Sequence, residues 1–220
     1  MGNDRRSRLA RVILYVITGE RGGVEETARI AAGALAGGAD VIQLRKKEMG
    51  RRDQLRLGFR LRELTAEHGA LFIVNDHVDL AIACDADGVH LGQEDMDPAA
   101  ARRRGGFEGR LIGRSTHSLE QALRAAELGV DYLGVGPVFA TPTKPGRAPV
   151  GLRLVREVAG AVRIPFVAIG GIDQTNAASA FAAGAPAVAV VRAVWDAPEP
   201  RATAAVLRAT GAFRAQVAAT

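Results

Sequence analysis

The stretch Gly38-Ala39-Asp40-Val41-Ile42-Gln43-Leu44-Arg45-Lys46-Lys47 decides the fold. A small residue and an aspartate form a turn, a short β-rich run follows, and the run ends in a polar, basic string. The run lacks the apolar–polar alternation of a strand with one wet face. Both of its faces are therefore covered, as in a parallel sheet.

Similar runs occur at Val12 to Ile17, Leu71 to Val74, Gly88 to Leu91, Leu111 to Gly113, Tyr132 to Val135, Phe166 to Ile169 and Ala187 to Val191, making eight in all. Between them lie Glu25 to Leu35, Asp53 to Glu67, Leu119 to Leu128 and Thr175 to Ala182, with helical spacing or richness in Ala, Leu, Arg and Glu. Parallel neighbours need a crossover, and a helix supplies it. The lead-in turn also recurs before alternate strands, as Ala86-Asp87-Gly88-Val89, Gly129-Val130-Asp131-Tyr132 and Gly184-Ala185-Pro186-Ala187. Eight βα units in 220 residues predict a (β/α)8 TIM barrel, a little below the usual ~250 residues. The rival is an open doubly wound sheet, which periodicity does not separate from a barrel. No linker or composition shift divides the chain, so one α/β domain is expected over 12–220, behind an arginine-rich tail over 1–11.

Composition narrows the function classes. At 48% hydrophobic residues the chain is not disordered, and charged residues interrupt every apolar run before the roughly 18 residues a membrane helix needs. Cys84 is the only cysteine, which excludes an intramolecular disulfide and fits a reducing, cytoplasmic setting. The net charge of +5 is modest and spread along the chain, so no nucleic-acid partner is expected. Arg5-Arg6 before an apolar run superficially resembles a twin-arginine export signal, but the run is short and no small-residue cleavage site follows. Arg6 also breaks the myristoylation pattern begun by Met1-Gly2. Homo-oligomerisation is left open.

Chemistry in a parallel barrel belongs to the loops after the strands, and here the strand ends are rich in polar residues. Among 29 basic residues the three lysines, Lys46, Lys47 and Lys144, all lie beside strand ends. Gln43, Arg45 and Lys47 share one parity and make an anion hook, the alternative being a solvated basic loop. Asp76 and Asp95 follow neighbouring strands and together suit a magnesium ion completed by water and phosphate; otherwise Asp76 is a helix cap and Asp95 a turn residue. No Cys/His cluster favours zinc. Gly170-Gly171 stands where barrels commonly bind phosphate, and Thr141, Thr143 and Lys144 add hydroxyls and charge. His117 is an acid/base candidate, although Ser115-Thr116 reads equally well as a cap before a helix. Cys84, His68, His77 and Trp195 read as structural.

These residues resemble the thiamine-phosphate synthase family. The match lies in Tyr15-Val16-Ile17-Thr18, Gln43 to Lys47, Asn75-Asp76, Asp87 to Asp95, Gly113 to His117, Gly136-Pro137-Val138-Phe139 with Thr141 to Lys144, and Ile169-Gly170-Gly171-Ile172, in order from residue 12 to about 194. The resemblance implies a TIM-barrel transferase that joins a pyrimidinylmethyl diphosphate to a thiazole phosphate, by departure of diphosphate before the thiazole nitrogen attacks. It implies that Gln43, Arg45, Lys47 and Lys144 bind the diphosphate beside Asn75, and that Asp76 and Asp95 hold Mg2+. Tyr15 and His90 would line the pyrimidine pocket. Ser115, Thr141, Thr143, Gly171, Val191 and Arg192 would hold the thiazole phosphate. Gly19 stands where the family often has Asp, and Arg192 where a small serine is expected. Thiazole tautomerase, which shares the barrel and uses a histidine near the fifth strand, is the alternative, followed by a non-catalytic thiazole-phosphate-binding regulator.

Overall fold

A computed structural model describes residues 2–141 and 148–217. Eight parallel strands close into a barrel in chain order: β1 Leu14–Ile17, β2 Val41–Leu44, β3 Leu71–Asn75, β4 Gly88–Leu91, β5 Leu111–Thr116, β6 Tyr132–Val135, β7 Phe166–Ile169 and β8 Ala187–Val190. Closure comes from β1 pairing with β2 through Tyr15↔Val41 and with β8 through Tyr15↔Ala189, so the open-sheet rival is eliminated. Helices α1 Gly2–Leu9, α2 Val24–Ala36, α3 Arg51–Glu67, α4 Val78–Ala83, α5 Pro98–Arg102, α6 Leu119–Glu127, α7 Gly151–Ala161, α8 Ala177–Ala182, α9 Arg192–Trp195 and α10 Pro200–Val217 complete the fold. Among the described residues no helix is long and apolar enough to cross a membrane.

The strand parity divides the core in two. Outward side chains such as Val16, Ile42, Val74, Val89 and Leu91 pack with Ile30, Leu57 and Leu61 of the helices. Inward ones, including Tyr15, Ile17, Val41, Ile73, Tyr132 and Val167, fill the barrel. Burial on both faces is why the strands read as continuous apolar runs rather than alternating ones.

The recurrent aspartate before alternate strands has a specific task. Asp40 accepts the amides of Ile13 (2.9 Å) and Leu14 (3.0 Å), Asp87 that of Phe72 (2.9 Å), and Asp131 that of Ile112 (2.7 Å). Each carboxylate thus satisfies the start of the strand preceding its own, where the ladder provides no partner. Arginines neutralise them: Arg208 on Asp40, Arg5 and Arg62 on Asp87, Arg6 and Arg102 on Asp131. Arg5 and Arg6 come from α1, and Leu9 and Val12 enter the lower barrel interior. Segment 1–11, a tail by composition, therefore includes a helix tied to the end of the barrel opposite the polar rim.

Candidate functional site

The rim is assembled from the ends of the strands, and the β2 string splits by parity. Gln43 points into the barrel, and beyond it Arg45 and Lys47 line the rim clefts. Thr18 holds Arg45 from both sides, its hydroxyl accepting from the Arg45 amide (2.8 Å) and donating to the Arg45 carbonyl (2.9 Å). Lys46 turns the other way, and its ammonium donates to the carbonyls of Glu20 (3.1 Å), Arg21 (2.6 Å) and Gly22 (2.9 Å). All three of its donors are spent on the β1–α2 loop, so this lysine is a clamp and not an anion ligand. The loop returns Glu20, whose carboxylate accepts from the Lys47 amide (3.1 Å) and from Arg45 Nη1 (3.2 Å). Sequence reading missed Glu20, because nothing local links it to residues 25 and 27 positions away.

Asp76 adopts φ +62°, a left-handed conformation that aspartate tolerates better than most residues, and the N-cap position of α4 falls on His77, whose side chain makes no cap hydrogen bond. The cap alternative for Asp76 is thereby removed. Lys47 Nζ stands 3.6 Å from its carboxylate. Burial, then a hydrogen bond to Asp95 and the charge of that residue, push the Asp76 carboxyl up to about 6. Asp95 moves the other way: burial opposes its charge, but the Asp76 hydrogen bond, the Gly92 amide (2.6 Å), Lys47 and Arg114 hold it below the usual carboxylate range. The two carboxyls are coupled: the negative charge of Asp95 makes ionisation of Asp76 harder, as close like charges do. Arg114 also fixes the β4–α5 loop that carries Asp95, donating to the carbonyls of Gln93 (3.0 Å) and Met96 (3.2 Å).

A small cavity adjoins this cleft, and a larger one adjoins the small cavity. The smaller, about 70 Å³, is lined by Tyr15, Gln43, Arg45, Asn75, His90, Ser115 and Val191 among others. The larger, about 370 Å³, is lined by Ser115, His117, Gly136, Thr141, Gly170, Gly171, Val191 and Arg192 among others, within the range of small-ligand pockets. Gly170 (φ +102°) and Gly171 (φ +63°) form part of its wall, and a Cβ on Gly171 would lie 2.5 Å from the Ala140 carbonyl oxygen. Only glycine fits that backbone and leaves the space open. Arg192 begins α9 and is exposed at the cavity edge. Asp173 and Asp196 also border the cavity and were not anticipated from sequence. His117 Nδ1 donates to the Gly136 carbonyl (2.5 Å). Its neighbour Ser118, not Ser115-Thr116, caps α6: the Ser118 hydroxyl accepts from the Gln121 amide (3.2 Å) while Gln121 reaches back to the His117 amide (2.9 Å). Ser115 lies within β5, which runs on to Thr116, and lines the cavity with its hydroxyl bonded to His90 Nε2. Thr143 and Lys144 lie outside the described residues.

The family described as Thiamine monophosphate synthase matches residues 14–194, the whole barrel from β1 to the end of β8 and into α9. The chain belongs to that family. It is 52% identical over 204 residues to the thiamine-phosphate synthase of Gloeobacter violaceus, covering 93% of this chain and 59% of that longer relative. The Thermus thermophilus thiamine-phosphate synthase is 50% identical over 198 residues, covering 89% of this chain and 95% of that one. The solved thiamine phosphate pyrophosphorylase of Pyrococcus furiosus superposes with a TM-score of 0.85 at 40% identity, covering 94% and 98% of the two chains. Within this thiamine monophosphate synthase barrel, Gly19 packs against a large buried ring. A Cβ there would meet the indole of Trp195, a ring only 1% exposed.

Proposed function

We propose that this barrel joins 4-amino-2-methylpyrimidin-5-ylmethyl diphosphate to 4-methyl-5-(2-phosphoethyl)thiazole, forming thiamine phosphate and releasing diphosphate. It is a transferase with two small anionic substrates. The observation that carries the proposal is the shared walls of the three recesses: Arg45 and Asn75 border both the carboxylate cleft and the smaller cavity, and Ser115 borders both cavities. A leaving diphosphate, a reacting methylene and an attacking ring nitrogen need that sequence of neighbours.

Arg45, Lys47 and Lys144 meet the charge that grows on the leaving diphosphate, with Gln43 and Asn75 beside it. Fixed cations in a partly closed site act most strongly on charge that develops in the transition state. Tyr15 and His90 line the pyrimidine side, while Ser115, Thr141, Thr143, Gly171, Val191 and Arg192 hold the thiazole phosphate in line. No strong base is required, since the thiazole nitrogen attacks with its own lone pair. Asp76 and Asp95 fit a magnesium ion: their donors are hard oxygens, and the mutual repulsion that pushes the Asp76 carboxyl up is what a divalent cation relieves. When bound, that ion supplies further positive charge to the diphosphate. The lone buried thiol, Cys84, supports a reducing, cytoplasmic setting.

The test is to give the purified protein both substrates and magnesium. Diphosphate release in step with thiamine phosphate is expected. Absence of diphosphate, with interconversion of thiazole phosphate isomers instead, would replace the synthase by a tautomerase.

A further inference from the structure

A continuous chain of hydrogen bonds crosses the barrel beneath the smaller cavity. Gln43 Nε2 donates to the Tyr15 hydroxyl (2.7 Å), the Tyr15 and Tyr132 hydroxyls are 2.9 Å apart, the Tyr132 hydroxyl is 3.1 Å from His90 Nδ1, and His90 Nε2 is 2.9 Å from the Ser115 hydroxyl. Four contacts join five side chains from β2, β1, β6, β4 and β5. Tyr15 and Tyr132 are 1% and 0% exposed, and burial raises both phenols well above their ordinary range, so each remains a neutral O–H. The path is kept clear by missing side chains. A Cβ on Gly113 would lie 2.5 Å from Tyr132 Cε1 and 2.6 Å from His90 Nδ1, and one on Gly134 would lie 3.1 Å from His90 Cε1.

Such a chain has a direction, because each contact holds one proton. The Gln43 amide nitrogen only donates, so Tyr15 accepts there and its own proton passes to Tyr132. Tyr132 in turn donates to Nδ1 of His90. An imidazole with Nδ1 accepting carries its proton on Nε2, which donates to Ser115. The Ser115 hydroxyl proton is then left for the cavity. The opposite direction would need the Gln43 amide turned over, and would have Ser115 donate to His90.

We propose that Tyr132 is a positioning residue, which through Nδ1 of His90 holds that imidazole in its neutral Nε2–H form and so makes Ser115 a hydrogen-bond donor toward an acceptor atom of the ligand. Tyr132 lines neither cavity; it acts through His90. The relayed direction also fixes what Gln43 presents to the ligand, namely its carbonyl oxygen. The pocket thereby displays an acceptor on β2 and a donor on β5, and discriminates against ligands with the reverse pattern.

Nitrogen-15 NMR of the full-length protein without substrate, with His90→Gln used to assign the ring, reads the tautomer directly. A proton on Nε2 in the unmodified chain and a loss of that preference in Tyr132→Phe are expected. A proton on Nδ1, or a doubly protonated ring at pH 8, overturns the proposal. The kinetic arm rests on the synthase activity proposed above. There, Tyr132→Phe is expected to lower kcat about tenfold or more with KM for either substrate moving less than about threefold, and Ser115→Ala, which also loses its hold on the thiazole phosphate, to lower kcat/KM at least as much. The double variant should be no slower than the worse single one, because both changes break one chain; losses that multiply overturn the proposal. If no substrate pair is turned over, the synthase assignment fails while the NMR result still decides the role of Tyr132.

Discussion

Replacing Gly19 by alanine puts a methyl carbon 2.7 Å from Cγ of Trp195 and closer still to Cδ1. Carbon atoms in contact sit about 3.5–4.0 Å apart, so the ring or the β1–α2 loop has to move by about an ångström. The indole has nowhere to go: Trp195 is 1% exposed and packed in the helix-facing core. Overpacking of this kind costs about 1–3 kcal/mol, which for a chain of this size lowers Tm by about 2 to 12 °C. The assay is thermal unfolding followed by circular dichroism, for Gly19→Ala, Trp195→Phe and the double variant. Because the two residues touch, the double variant should be more stable than the sum of the single losses, by about 0.5–3 kcal/mol. A Tm for Gly19→Ala within a degree of the parent, or strict additivity, would show that the small residue and the large one are not coupled.

Asp95→Asn should abolish most magnesium-dependent turnover without loss of the folded circular dichroism signal, since an amide brings no charge to the site; full turnover in excess chelator would refute the metal assignment. Lys144→Ala should lower kcat more than His117→Ala, and the reverse order would favour the tautomerase. Arg192→Ala should raise KM for the thiazole phosphate about tenfold and leave that for the pyrimidine diphosphate unchanged, the expected effect of losing one charge-assisted bond; an unchanged thiazole KM would leave the phosphate to Gly171 and the backbone. At the other end of the barrel, burial opposes the charge of Asp87, but the Phe72 amide, Arg62 and Arg5 outweigh it and lower its carboxyl below the usual range. Its contribution is therefore complete above the unfolded value of about 3.9 and is lost as pH falls through the lower folded value. Urea unfolding should find Asp87→Asn about 3–5 kcal/mol less stable at pH 7, with the gap narrowing in acid; a gap independent of pH would contradict the assignment.

The barrel was legible because its signal is local. Apolar runs mark the strands to within a residue or two, except where the polar Arg114-Ser115-Thr116 disguised the end of β5. The hook was legible for the same reason, since alternation separates Gln43, Arg45 and Lys47 from Lys46 without any tertiary knowledge. What stayed hidden depends on closure. Asp40, Asp87 and Asp131 looked like turn residues because the amides they accept lie in the preceding strand, 15 to 27 positions back. Tyr132 looked like one more strand residue, since its partners Tyr15 and His90 are 117 and 42 positions away on strands that do not adjoin β6. Compositional reasoning grouped the three lysines by their position at strand ends, yet Lys46 serves the backbone of a loop.

The pairing of α1 with the far aspartates bears on the order in which the chain assembles. Arg5 reaches Asp87 across 82 positions and Arg6 reaches Asp131 across 125. Neither bond forms until β4 and β6 stand in place, and closing loops that long is entropically dear early in folding. Helix α1 is thus among the last elements of the barrel to lock. Contacts made after the rate-limiting step slow unfolding and leave the folding rate alone. The arginines of α1 act as a latch on the finished barrel, lengthening the lifetime of the native state rather than hastening its arrival.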